Sequence, residues 1–142
     1  MRVFSFAQES TRYCNYSRDK FGNQITCIEP LWIDDEREFK NSEAYANAYE
    51  RFTSACEEAE GAYLDLLDEG FTAQQARQVL PTALKTEVVM TGFVKDWKYF
   101  FRLRCAKDAH PDMRYLATQL EEMFNKNGLF NINEHTTTTI HL

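Results

Sequence analysis

The chain has 142 residues, 44% hydrophobic and 14% aromatic, and a formal net charge of −6. That length fits one domain able to bury roughly 68–70% of its unfolded surface, and the apolar content excludes a disordered chain. The acidic balance argues against a broad nucleic-acid footprint or adhesion to an anionic membrane. It leaves room for a small anion held by a few converging arginines.

Four cysteines, Cys14, Cys27, Cys56 and Cys105, form no Cys-x-x-Cys pair. No signal peptide is expected, and no apolar run approaches a membrane span. The expectation is free thiols in a reducing cytoplasm. His110, His135 and His141 lack metal-ligand spacing with the cysteines, so no metal site is expected.

In chain order, residues 1–17 alternate loosely and end in small polar residues, a strand leading into a loop. Lys20-Phe21-Gly22-Asn23 is turn chemistry. Gln24-Ile25-Thr26-Cys27-Ile28 reads as a short strand ended by Pro30. The two strands can pair as a hairpin, but the long loop between them leaves that open.

From Ser42 to Glu69, apolar residues fall at Tyr45, Tyr49, Phe52, Cys56, Ala59, Tyr63 and Leu66. Steps of four and three make a heptad seam along a helix about 40 Å long, stopped by Gly70. The seam fits a core helix of this subunit equally with one that also packs on a neighbouring subunit. Thr72-Ala73-Gln74-Gln75 is a capping box for the next helix.

Ala76 to Arg104 organises the rest. Ala76-Arg77-Gln78-Val79-Leu80-Pro81 is a helical turn stopped by proline, and Lys85 to Met90 reads as a buried strand. Val94 to Arg104 is an aromatic helix ending in arginine, carrying Trp97, Tyr99, Phe100 and Phe101, a stripe that is core more often than a cofactor box. Arg77 and Arg104 thus stand at element ends, where a guanidinium reaches a cleft without crossing the core. The last helix starts near Pro111 and carries Met113, Leu116, Leu120, Met123 and Phe124 before Gly128. The domain is expected over 1–128, with 129–142 a polar, frayed tail containing Thr136-Thr137-Thr138-Thr139.

The run Ala76-Arg77-x-Val79-Leu80-Pro81, with a helix ending Leu103-Arg104, resembles the flavin-dependent thymidylate synthases. Arg2-x-x-Ser5 followed by Ser10-x-Arg12-Tyr13 resembles the last part of that family's signature, Arg-His-Arg-x-x-Ser then Ser-x-Arg-Tyr. The two motifs stand in the family's order with a long helix between them, and the resemblance runs from about Arg2 to Met123. It implies an α+β fold, a small antiparallel sheet packed against long helices. It also implies a cytoplasmic homotetramer whose active sites are built from several subunits.

The activity so implied is reductive methylation of deoxyuridylate (dUMP) to thymidylate (dTMP), with FAD reduced by NADPH and methylenetetrahydrofolate giving the carbon. Ser10, Arg12, Arg77 and Arg104 match dUMP-binding positions, and Arg104 would also act on the uracil. Arg2, Ser5 and Gln8 match flavin-binding positions. Read without the family, each arginine fits an ordinary surface residue, and Ser10 fits either part of an anion nest or a turn serine bonded to its own backbone. Guanidinium forks do suit a phosphate dianion. No cysteine has a recognisable catalytic context, although Cys14 lies close to Arg12; chemistry carried by a flavin needs no thiol.

The departures are specific. Met1 stands where the signature has histidine, its first arginine is absent, and Ala7-Gln8 replaces an Asn-Glu pair. Phe93, Tyr99 and Asp108 occupy positions that are polar or histidine in many members. The family's N-terminal segment does not precede them, so an N-terminally truncated member is expected: a fragment, a misplaced gene start or a diverged remnant. The rival to an enzyme is a non-catalytic remnant that keeps helical assembly and nucleotide binding.

Overall fold

The hydrophobic spacing resolves into β1 (Phe4–Gln8), α1 (Glu43–Asp68), α2 (Ala73–Ala76) continued by a 3-10 turn (Arg77–Val79), β2 (Val88–Phe93), α3 (Val94–Arg104), α4 (Pro111–Lys126), a 3-10 turn (Leu129–Asn131) and β3 (Thr137–His141). The computed structural model describes residues 3–18, 21–31 and 43–142. Two units emerge, one of Met1–Gln8 with Glu87–Leu142, the other of Glu9–Thr86. The class is α+β, with a three-stranded antiparallel sheet and helices.

In the sheet unit, β2 lies in the middle and pairs antiparallel with β1 and β3, in register Phe4↔Gly92 and Met90↔Ile140. β2 runs straight into α3, whose Val94, Trp97 and Phe101 at three- and four-residue steps give one fully apolar stripe. Trp97, Phe101 and Phe124 form the core with Met90 and Leu120. Their rings meet at 5.0–5.2 Å across α3 and α4, the separation of favourable tilted and edge contacts. The buried indole N–H of Trp97 donates to the Thr138 carbonyl at 3.3 Å, so this core leaves no ring nitrogen unpaired.

Gly92 has a steric reason. A Cβ there would stand 2.5 Å from the Phe4 ring, which lies over the glycine and meets Trp97 edge-on at 4.9 Å. Only a bare Cα lets that ring cross the strand.

Two expectations are corrected here. Residues 129–142 are not a frayed tail: Thr137–His141 is a sheet strand, while Leu129, Phe130, Ile140 and Leu142 pack on the core. Alternation of Thr139 and Ile140 with their neighbours was the signal, since threonine suits a strand and every second side chain turns inward. On α4 the buried row is Ala117, Leu120 and Phe124, not the whole expected stripe, and Met113, Leu116 and Met123 are exposed. The small Ala117 lets the helix approach closely, which rotates the contact row toward it.

The other unit is built on α1. Its stop is a Schellman arrangement: Gly70, with φ of 93°, donates to Leu67 at 3.0 Å and Phe71 donates to Leu66 at 3.0 Å. Tyr63 is fully buried and joins Tyr16, Ile25 and Ala76 in a second core. Of the heptad seam, Tyr45, Phe52, Cys56, Ala59 and Leu66 are half-buried, while Tyr49 is exposed. Ser42 lies outside the described residues.

β1 does not pair with the 24–28 segment. Among the described residues that segment makes an isolated bridge, Cys27↔Leu84, flanked by Ile28 N–H to Ala83 O and Lys85 N–H to Thr26 O, both 2.7 Å. The Ile25 N–H donates to Glu60 Oε2 at 2.7 Å, so a side chain takes a donor that a ladder would need.

Candidate functional site

Residues Ser10 to Cys14 form a tight turn in which Tyr13 and Cys14 both donate to the Ser10 carbonyl at 2.9 Å. The Ser10 hydroxyl accepts the Arg12 N–H at 3.3 Å, the local serine turn that sequence reading held open as one alternative. The turn is tied down from its other end, since Tyr63 Oη donates to the Cys14 carbonyl at 3.3 Å.

α2 faces this turn. Its start is fixed by Gln75, whose Oε1 accepts from Thr72 N–H at 2.9 Å and Thr72 Oγ1 at 2.8 Å, within the expected capping box. Its inner side is anchored by the fully buried Ala76. Two side-chain bonds then cross over: Arg12 Nε donates to Gln74 Oε1 at 2.6 Å, and Arg77 Nη1 reaches Thr11 Oγ1 at 3.5 Å. Ser10, Arg12 and Arg77 are thereby brought into one exposed patch. The Arg12 guanidinium also lies over the Tyr13 ring, 5.2 Å from its centroid.

The remaining expected residues belong to the sheet unit or lie outside the described residues. Ser5 and Gln8 are exposed on β1, opposite Thr91 and Val88, at the sheet edge. Arg104 is exposed at the last position of α3, and the following Cys105 N–H donates to Phe101 O. Arg2 lies outside the described residues. Sequence reading passed over Thr11 and Gln74. Gln74 sits three residues before Arg77 on one helical turn, a usable hint of a shared face, but its partner is 62 residues away.

Burial keeps Cys27, Cys105, Tyr16 and Tyr63 protonated at neutral pH. Burial, then the hydrogen bond with Cys56, pushes the Cys27 thiol up to about 12, and burial foremost pushes Tyr16 up to about 12. Burial raises Tyr63 and Cys105 as well. Thiols so placed are packing groups, not nucleophiles, at neutral pH. Among the described residues, no helix is long and apolar enough to cross a membrane, and no three His, Cys, Asp or Glu side chains are grouped to hold a metal.

An α+β chain with a serine–arginine turn fastened to a second arginine defines a class of anion-binding candidates. The sequence narrows it: residues 1–127 match the family described as thymidylate synthase complementing protein, and the chain belongs to that family. It is 29% identical over 119 residues to the flavin-dependent thymidylate synthase of Geobacter sulfurreducens, covering 84% of this chain and 46% of that protein. It is 28% identical over 129 residues to that of Pyrococcus furiosus (90% and 48%), and 30% over 124 residues to that of Mycobacterium avium (83% and 47%). The chain spans about half the length of the relatives it matches.

Proposed function

We propose that this chain acts in flavin-dependent thymidylate synthesis, the reductive methylation of dUMP to dTMP. The observation that carries this reading is the tie between the Ser10–Arg12 turn and α2, which gathers two guanidiniums on a chain of net charge −6. Arg12 and Arg77 hold the phosphate of dUMP, with Ser10 shaping the turn beneath it. Guanidinium forks match phosphate oxygens two at a time. The resemblance assigns Arg104 to the uracil, where a guanidinium would stabilise the negative charge that develops on the ring, an electrostatic role of ~3–4 kcal/mol when one donor is lost.

Ser5 and Gln8 are hydroxyl and amide groups exposed on an edge strand, chemistry that fits the phosphate and ribose oxygens of FAD. Side chains alternate along a strand, so the two face opposite sides, and both are exposed. FAD held there, with NADPH as its reductant, would supply the electrons that turn a carbon from methylenetetrahydrofolate into a methyl group. The half-buried seam of α1 supports self-association, which we assign as the homotetramer of a cytoplasmic enzyme.

The test is a single-turnover assay of thymidylate formation on the chain and its Arg104→Ala variant. The variant should keep the flavin absorbance and lose roughly 10²–10³-fold in rate. An unchanged rate in the folded, flavin-loaded variant removes Arg104 from catalysis. Binding of dUMP without turnover in either protein supports the non-catalytic reading instead.

A further inference from the structure

We propose that Gln74 is a positioning residue for the anion patch: its side-chain carbonyl holds the Arg12 guanidinium at Nε and so presents the Nη fork to a nucleoside monophosphate. The inference rests on the reading above, in which Arg12 contacts the phosphate. At 2.6 Å, the Nε–Oε1 bond is shorter than the Arg12–Ser10 bond at 3.3 Å and the Arg77–Thr11 bond at 3.5 Å.

An exposed arginine ordinarily rotates freely about several bonds, and ordering it on binding costs affinity. Here that freedom is removed beforehand from two directions. Gln74 fixes the Nε edge, and Tyr13 lies under the guanidinium plane at 5.2 Å. Engaging Nε is the informative detail. A guanidinium carries five N–H groups; one bonded at Nε leaves four on the two Nη atoms, the pair that can face two phosphate oxygens in parallel.

The support under Gln74 is itself rigid. The Gln75 bonds to Thr72 close the first turn of α2, and Ala76 buries its inner face, so Gln74 projects from a fixed backbone. The acceptor is also neutral. An amide oxygen orients the cation without cancelling its charge, which matters on a chain already carrying −6 overall.

The experiment is calorimetric titration of dUMP and of deoxyuridine into the full chain carrying Gln74→Leu, Gln74→Glu, Arg12→Ala, or Gln74→Leu with Arg12→Ala. Gln74→Leu should weaken dUMP binding roughly 5–10-fold, the worth of one lost orienting bond. It should leave deoxyuridine, which lacks the phosphate, unaffected. Gln74→Glu keeps an acceptor at the same reach but offsets the cation's charge, so it should recover only part of the loss. In the Arg12→Ala background, Gln74→Leu should change nothing further, because its effect runs through Arg12.

Weakened dUMP binding in Arg12→Ala with wild-type affinity in Gln74→Leu overturns the positioning role and leaves the phosphate reading standing. Unchanged binding in Arg12→Ala overturns both. A Gln74→Leu chain that loses dUMP and deoxyuridine equally, or melts at lower temperature, shows a merely structural glutamine and also overturns the proposal.

Discussion

The two units reach a buried core by different means. The sheet unit stacks Trp97, Phe101 and Phe124 between regular elements, and the side-chain hydrogen bond shown within that core is one indole N–H to a carbonyl. The α1 unit builds its core from Tyr16, Ile25, Tyr63 and Ala76, three of them on irregular backbone or a single helical turn. There, side chains do the work that a ladder does elsewhere: Tyr63 Oη serves Cys14 and Tyr16, and Glu60 serves Ile25. Apolar stacking makes the sheet unit tolerant of polar loss and intolerant of volume loss. The α1 unit should show the reverse, and it is the unit that carries the arginine patch.

The largest expected effect is therefore on volume in the sheet unit. Phe101→Ala removes a ring that meets both Trp97 and Phe124, and should cost about 3–5 kcal/mol in denaturant unfolding. A loss below 1 kcal/mol would mean that the three rings are not one core. Next comes Gly92→Ala, which drives a methyl into the Phe4 ring and should cost about 1–3 kcal/mol. Pairing it with Phe4→Ala should relieve most of that strain; strict additivity would contradict the contact.

In the α1 unit the corresponding change is polar. Tyr63→Phe keeps the ring and removes an Oη with bonds at 3.3 and 3.4 Å, and should cost about 0.5–1.5 kcal/mol. No measurable loss would mean that this hydroxyl does not hold the core together, and would erase the distinction between the units.

The smallest effect at neutral pH emerges only in alkali. Cys27 and Tyr16 are raised from 9.0 and 10.0 to about 12, chiefly by burial, so the folded state keeps protons that the unfolded chain gives up. Their contribution is complete below about pH 9 and is lost as pH rises toward 12. Melting temperature should fall across that window, and Cys27→Ala should flatten the fall. A melting temperature independent of pH from 9 to 12 would place both groups in water.

The same contrast explains what could be read from the chain alone. α3 was legible to its last residue because Trp97 and Phe101 repeat at helical spacing and Arg104 ends the run. The Gly70 stop and the Thr72–Gln75 cap were legible because they are local chemistry. β3 was missed because Thr137 to Thr139 look polar, and its pairing with Val89 to Phe93 crosses more than forty residues. The Ile25–Glu60 and Arg12–Gln74 bonds were invisible for the same reason: no spacing rule joins a turn to a distant helix. Ser10, Arg12 and Arg77 were singled out through resemblance, and what fastens them together came from the fold.

One measurement bears most directly on the patch as a phosphate site: titration of dUMP into the wild-type chain and Arg77→Lys. The substitution keeps the positive charge and removes the planar fork. Affinity for dUMP should fall roughly tenfold, the cost of exchanging a bidentate charged contact for a single one, while deoxyuridine binding stays the same. Equal dUMP affinity for the two proteins would contradict the assignment of Arg77 to the phosphate, and with it the reading of this turn and helix as a nucleotide site.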